Sequence, residues 1–150
     1  MILLNRSILA ALLLALASTP AVATGPAAYA PAKVVYDFSS ADPTHLKNLL
    51  DRVSLLQNLY ASDPFAASVI VVIHEGAVPL FAKQGRLART DLTQRAQGLT
   101  LSDIIQFRLC RASAQMQGFD RNDFDGFIEL VPMADAEIVR LQHEGYAYLN

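Results

Sequence analysis

The residue in this chain best suited to covalent chemistry is Cys110, the only cysteine among 150 residues. It lies between Arg108 and Arg111 in the stretch FRLCRASAQMQG, where an apolar run changes into a short helix-forming run. Backbone N–H groups at the start of a helix and nearby arginine charge favour the thiolate, which is a nucleophile at neutral pH. The same pattern is also compatible with an inert, buried cysteine at the end of a strand.

A second candidate group, His74, Glu75 and Gly76, follows the apolar run ASVIVVI. His74 could act as a proton donor, as a partner for a thiolate or as a metal ligand, or it could be a hydrogen-bonded histidine at a strand end. The spacing of His45, His74 and His143 matches no metal-ligand pattern, so we expect neither a metal nor a cofactor. The sequence has no glycine-rich phosphate loop and no G-x-S-x-G, which argues against nucleotide binding and against a serine hydrolase of that type.

Strands and helices alternate along the chain and must position these residues. Five runs rich in apolar and β-branched residues predict strands, at Lys33–Phe38, Ala67–His74, Ile104–Leu109, Phe127–Val131 and Tyr146–Leu149. Helical patterns lie between them. The expected helices are Pro43 to about Ala61, with Asp42 as N-cap, a short segment past Pro79, Asp91–Gln97 ending at Gly98, Arg111–Gln117 capped by Gly118, and Met133–His143.

This alternation predicts an α/β fold, with a parallel sheet and helices on both of its faces. In such sheets, ligands bind outside the carboxyl ends of the strands. We therefore expect His74, Glu75 and Gly76 to share one sheet edge with Cys110 and Arg111. The residues that follow the first and fourth strands, 37–40 and 131–133, should lie along the same edge.

The first 23 residues have the organisation of a secretory signal peptide, because Arg6 precedes an apolar run and Ala21-Val22-Ala23 fits a cleavage site. An uncleaved N-terminal anchor is the other interpretation, although the apolar run has only about half of the ~20 residues that a membrane span needs. We expect a periplasmic or secreted protein with no stable membrane insertion after cleavage. Residues 24–32 would then be a flexible lead-in, and residues 33–150 would form a single domain.

The net charge and the cysteine count limit the kinds of partner and the roles of Cys110 that are compatible with the sequence. The formal net charge is −2 and no basic stripe is present, which argues against a nucleic-acid partner. Exported proteins usually pair their cysteines in disulfides, and a single cysteine cannot form an internal one. Cys110 is therefore a buried structural thiol, a partner in an intermolecular bond, or a reactive thiol.

Three segments together resemble the DsrE/DsrF-like family, and in particular its exported, single-domain branch. They are VVIHEGAV, FRLCRASAQMQG and IELVPMADAEIVRLQHEGYAYL, and the resemblance extends from about Lys33 to Leu149. It implies a three-layer α/β/α fold with a five-stranded parallel sheet in the order 4-3-2-1-5. It also implies a homo-oligomer, either a trimer or a hexamer.

The resemblance further implies that Cys110 carries a persulfide and passes sulfur to a partner protein. From their expected positions near Cys110 we take His74, Arg111, Arg108, Glu75 and Gly76 as supporting residues. Relatives often have a second glycine at the position of Glu75, so the loop beside the cysteine is more acidic in this chain. The resulting expectation is a periplasmic sulfur carrier, or sulfurtransferase-like protein, with a possible protein donor or acceptor.

Two alternatives belong to other functional classes. In the first, the chain is a non-catalytic oligomeric binding module, Cys110 is buried packing, and residues 120–125 or 83–100 contact the partner. In the second, the chain is a redox sensor in which Cys110 forms an intermolecular disulfide.

Overall fold

The structure is a computed structural model that describes residues 29–63, 65–84 and 90–150. Five strands of the described residues form one parallel sheet; they are β1 (Ala32–Phe38), β2 (Ala67–Ile73), β3 (Ile105–Cys110), β4 (Ile128–Val131) and β5 (Ala147–Leu149). The strand order is β4-β3-β2-β1-β5, which confirms the predicted fold and sheet order. The sheet places β2 between β1 and β3, so the ends of these three strands are neighbours.

The helices of the described residues also follow the predicted order. They are α1 (Pro43–Leu59), α2 (Val78–Phe81), α3 (Thr90–Leu99), α4 (Arg111–Met116) and α5 (Ala134–His143). The carboxylate of Asp42 accepts the backbone N–H of Thr44 at 2.8 Å, and Pro43 takes the first helical position, so the predicted start of α1 is confirmed. Gly118 has a φ of +80° just after α4, as expected of a residue that ends a helix.

The helices cover the sheet unequally. Apolar residues of α1 and α3 pack with one face of the sheet in a large core, whereas α5 packs on the other face through a smaller cluster that includes Cys110. Residues 69–73 of β2 are at most 1% exposed, so this strand is covered on both faces as its apolar sequence predicts. Burial of each such side chain stabilises the fold by roughly 1.5–3 kcal/mol.

The predicted end of α3 is wrong. Gly98 lies inside the helix, with no positive φ, and a 3-10 turn of residues 100–102 continues the helix to Asp103, which has a φ of +58°. Leu99 is buried in the large core, and its carbonyl accepts a hydrogen bond from the Gln57 amide at 3.3 Å. Packing of Leu99 therefore outweighs the weak helix propensity of the glycine before it.

The predicted signal peptide, residues 1–23, lies outside the described residues, as does most of the expected lead-in. Among the helices that the structure describes, none combines the length and the hydropathy needed to cross a membrane.

An ionic network joins α5 to the sheet on the face that also contains Cys110. The Arg108 guanidinium of β3 pairs with Glu137, whose side chain is only 9% exposed, and Arg140 donates to the same carboxylate at 2.7 and 3.1 Å. Glu129 of β4 lies 3.2 Å from Nε of Arg108, without hydrogen-bonding geometry. Hydrogen bonds from Arg140, and then from Arg108, lower the pKa of Glu137, although burial opposes this shift.

We predict that Glu137→Gln destabilises the protein in a pH-dependent way. Because the pKa of Glu137 is lowered on folding, its contribution is present above the ordinary value of 4.5 and is lost as the pH falls through the folded-state pKa. Chemical denaturation at neutral pH should show a loss of roughly 1–3 kcal/mol in the free energy of unfolding, since Arg108 loses its buried partner. The loss should shrink as the pH falls below about 4.

The matched control for this substitution is Glu144→Gln, in the residue that follows α5. Glu144 also pairs with Arg140, but its side chain is 48% exposed, so its removal should cost about 0.5 kcal/mol or less. Equal losses for the two variants, or a Glu137→Gln loss that does not change with pH, would contradict this account of the network.

Candidate functional site

Cys110 lies where β3 ends and α4 begins. It is the last residue of the strand and the N-cap of the helix, and its Sγ accepts the backbone N–H of Ser113 at 3.4 Å. The residue is only 3% exposed, yet it forms part of the wall of a surface pocket of about 400 Å³. The thiol is therefore largely enclosed and has one side on a space large enough for a small ligand.

Three elements supply the remaining walls of this pocket, which we call the Cys110 pocket. His74 and Glu75 come from the end of β2, α4 contributes one side, and the start of α5 contributes the other. The full lining is His74, Glu75, Cys110, Ala112, Ser113, Met116, Gln117, Met133, Ala134 and Asp135. The structure thus brings His74, Glu75 and Cys110 together at the carboxyl edge of the sheet.

A carboxylate fixes the orientation of the His74 ring. Nε2 of His74 lies 2.6 Å from Oδ1 of Asp37 on β1, and an ionised carboxylate can only accept a hydrogen bond. Nε2 therefore carries the hydrogen, and Nδ1 of the neutral ring keeps a free lone pair. Glu75 is the nearest carboxylate to Nδ1, at 3.9 Å, which is too far for a hydrogen bond.

The same carboxylate connects the ring to a third strand. The Tyr148 hydroxyl of β5 donates to Oδ2 of Asp37 at 2.6 Å. This hydrogen bond, together with partial burial and the charge of Asp37, raises the pKa of Tyr148 above its ordinary value of 10.0. A chain Tyr148–Asp37–His74 thus crosses β5, β1 and β2.

Sequence reasoning did not single out Asp37 or Tyr148. The sequence pattern puts Asp37 only in the segment at the end of the first strand and Tyr148 only in the last strand. The expected sheet order is the signal that could have indicated them, because it puts β1 beside β2 and β5 beside β1, on the side of β2 opposite to β3.

The turn after β2 is shaped by two neighbours. Glu75 adopts a left-handed conformation with a φ of +48°, which favours glycine, and its carbonyl accepts the Gln117 amide at 2.8 Å. A Cβ on Gly76 would lie 3.1 Å from the Ser39 carbonyl oxygen and 3.2 Å from Cβ of Ala41. The turn that holds His74 is therefore packed between the β1–α1 loop and α4.

Neither arginine that flanks the cysteine lines the Cys110 pocket. Arg108 shares the face of β3 with Cys110, but Glu137 and Glu129 engage its guanidinium. Arg111 lines a separate pocket of about 630 Å³ beside Phe119 and Arg121. The charged residues of the Cys110 pocket are instead Glu75 and Asp135, so its walls are acidic. Within the described ranges, no group of three or more His, Cys, Asp or Glu side chains could hold a metal ion.

Comparison with known proteins gives a family and a fold. The model of the DsrE/DsrF-like family matches residues 20–150. Among solved structures, MTH1491 of Methanobacterium thermoautotrophicum, described as a protein of unknown function, superimposes with a TM-score of 0.63 at 23% identity. The match covers 79% of this chain and 97% of that one, and at this identity it concerns the fold alone. No curated protein matches the sequence.

We predict that the neutral ring of His74 is protonated at Nε2 and that Asp37 maintains this tautomer. Nitrogen-15 NMR of the imidazole should show an unprotonated Nδ1 in the wild type, and Asp37→Ala should raise the Nδ1–H fraction because the acceptor is gone. Tyr148→Phe is the control, since it keeps the carboxylate and should keep the tautomer. A wild-type ring protonated mainly at Nδ1 would contradict the assignment.

A pair of glycine substitutions tests the packing of the turn after β2. Gly76→Ala should lower the free energy of unfolding by roughly 1–3 kcal/mol, because the new methyl group meets the β1–α1 backbone. A Cβ at Gly98 meets nothing within 4 Å, so Gly98→Ala in α3 should raise the free energy of unfolding by roughly 0.5–1 kcal/mol. Denaturant midpoints that move in the same direction for both variants would contradict the packing described for Gly76.

Proposed function

The chain belongs to the DsrE/DsrF-like family, and from that premise we propose that it carries sulfane sulfur as a persulfide on Cys110. Family membership suggests a sulfur-relay type of function. The carrier role rests on one observation in particular, which is that Cys110 and His74 form part of the same pocket at the carboxyl edge of the sheet.

The transfer needs one cysteine and no external oxidant. The Cys110 thiolate attacks the outer sulfur of a polysulfide or of a partner protein's persulfide. A sulfur–sulfur bond forms to Sγ and the donor's sulfur–sulfur bond breaks. The donor leaves with the bonding electron pair, as a thiolate from a protein persulfide or as a polysulfide anion shorter by one sulfur. The Cys110 proton passes to water or to Nδ1 of His74, and delivery to an acceptor thiol reverses the sequence.

The walls of the Cys110 pocket suit this chemistry in two ways. The pocket volume of about 400 Å³ accommodates an added sulfur atom while the thiol stays shielded from bulk solvent. The N–H of Ser113 gives the sulfur a hydrogen-bond donor, and His74 on the wall of the same pocket is the base that the proposal uses. The absence of a second cysteine fits a persulfide, because no resolving thiol competes for it.

The proposal includes a cellular setting. From the predicted signal peptide we propose that the carrier works in the periplasm or outside the cell, with its donor and acceptor in the same compartment. The resemblance to the family adds a homo-oligomer, a trimer or a hexamer, as the working form.

Intact-mass measurement tests the carrier directly. After incubation of the reduced protein with polysulfide, the wild type should gain sulfur atoms that dithiothreitol removes, and Cys110→Ser should gain none. No addition to the wild type, or equal addition to both proteins, would refute the proposal.

The burial of Cys110 favours a second candidate, the non-catalytic oligomeric binding module, because a residue that is 3% exposed can be simple packing. Alkylation distinguishes the two functions. A carrier thiol should react with iodoacetamide in the folded protein, whereas a packing thiol should react only after denaturation. A disulfide-linked dimer on a non-reducing gel would instead support the redox sensor.

A further inference from the structure

All sulfur-containing side chains of the described residues lie on the wall of the Cys110 pocket. The chain has one cysteine and three methionines, and apart from Met1, which lies outside the described residues, these are Cys110, Met116 and Met133. Sulfur is otherwise missing from the large core of α1, α3 and the sheet, where methionine is an ordinary filler. Three sulfur side chains therefore line one pocket, which is a composition that suits a ligand with a preference for sulfur.

The backbone brings the three residues together from two neighbouring strand–helix junctions. Cys110 of β3 pairs with Val131 of β4, and the N–H of Ala112 donates to the Pro132 carbonyl at 3.3 Å, just before Met133. Met116 is the last residue of α4, the helix that Cys110 caps. Both methionines are open to solvent, at 89% exposure for Met116 and 50% for Met133, so their thioethers are accessible at the pocket mouth.

The other polar groups of this pocket suit a cation. Glu75 and Asp135 add negative charge, and neither Arg108 nor Arg111 contributes to the walls. When the His74 ring is neutral, the hydrogen bond from Nε2 to Asp37 leaves the lone pair of Nδ1 free, which is the carboxylate–histidine arrangement common behind metal ligands.

We propose that the Cys110 pocket binds one soft monovalent cation, Cu(I), through the sulfur atoms of Cys110, Met116 and Met133, with Nδ1 of His74 available as a fourth donor. Thiolate and thioether ligands select Cu(I), whereas the harder divalent ions prefer carboxylate and imidazole sets. Among the described residues, no group of three or more His, Cys, Asp or Glu side chains could hold one of these harder ions. Binding releases the Cys110 proton to solvent and transfers no electron, so it needs no redox partner.

This site goes beyond the carrier function and does not depend on it. A bound Cu(I) and a persulfide would compete for the same Sγ, whereas only the metal uses the two methionines. The two activities therefore separate in variants that change the methionines and keep the cysteine.

Anaerobic titration of the reduced full chain against the Cu(I) chelator bathocuproine disulfonate provides the test. We expect one Cu(I) per chain, an affinity at least about tenfold weaker for Met116→Leu and for Met133→Leu, and the largest loss for Cys110→Ser. Leucine matches methionine in volume, and both methionines are exposed, so the folded state should persist, as circular dichroism would show. Excess Zn(II) should not displace the bound Cu(I).

The control variant is Leu101→Met, which adds a thioether at a position that is 84% exposed and outside the Cys110 pocket. It should leave Cu(I) affinity unchanged. Unchanged affinity in both methionine variants, an affinity gain in Leu101→Met, or displacement by Zn(II) would each overturn the metal site.

Persulfide uptake measured on the same proteins separates the two proposals. The methionine variants should still gain sulfur from polysulfide. A wild type that gains sulfur and binds no Cu(I) would refute only the metal site, and one that binds Cu(I) and gains no sulfur would refute only the carrier.

Discussion

Parallel pairing of β2 between β1 and β3 is the constraint on which the site depends. It sets the carboxyl ends of three strands side by side, so His74 at the end of β2 lies between Asp37 on β1 and Cys110 on β3. The pairing is held in place by burial of β2 on both faces, since its residues 69–73 are at most 1% exposed. A shift of one residue would turn these side chains to the opposite faces of the sheet, which makes the register of the site as strongly specified as the core.

An acidic residue of α5 pairs with Arg108, the arginine that lies two residues before Cys110 on β3. Arg108 and Cys110 share one face of β3, but Glu137 of α5 engages the guanidinium beneath the helix. An unpaired arginine at this depth would be costly, so the ion pair is needed for stability before any question of function arises. As a consequence, no arginine or lysine of the described residues lines the Cys110 pocket, and its acidic residues are Glu75 and Asp135.

Much of the fold follows from sequence pattern, because alternating strands and helices with right-handed crossovers leave few arrangements, and the family resemblance selects one. The location of His74 and Cys110 at one edge follows from the same reasoning. Contacts between residues that are far apart in the chain could not be predicted in this way. The hydrogen bond from His74 to Asp37 depends on the register between two neighbouring strands. Glu137 is 29 residues away from the arginine with which it pairs, so spacing along the chain indicates neither contact. Gly98 shows the complementary case, in which burial of the next residue overrides a local signal.

The chemistry of the Cys110 pocket is best understood from the polarisability of sulfur. A Cu(I) ion is a soft acceptor that thiolate and thioether ligands bind well, whereas a persulfide is itself an electron-rich sulfur group that needs only the Cys110 sulfur for its attachment. Both proposals use the enclosed thiol of Cys110, and only the proposed metal site also uses the methionines at the mouth of the pocket and the acidic residues Glu75 and Asp135. Nδ1 of His74 has a different role in each proposal, as a base for the thiol proton in sulfur transfer and as a ligand in the metal site. What selects between them is whether the methionines contribute to binding, because sulfur transfer needs only Cys110 whereas a metal needs more than one donor.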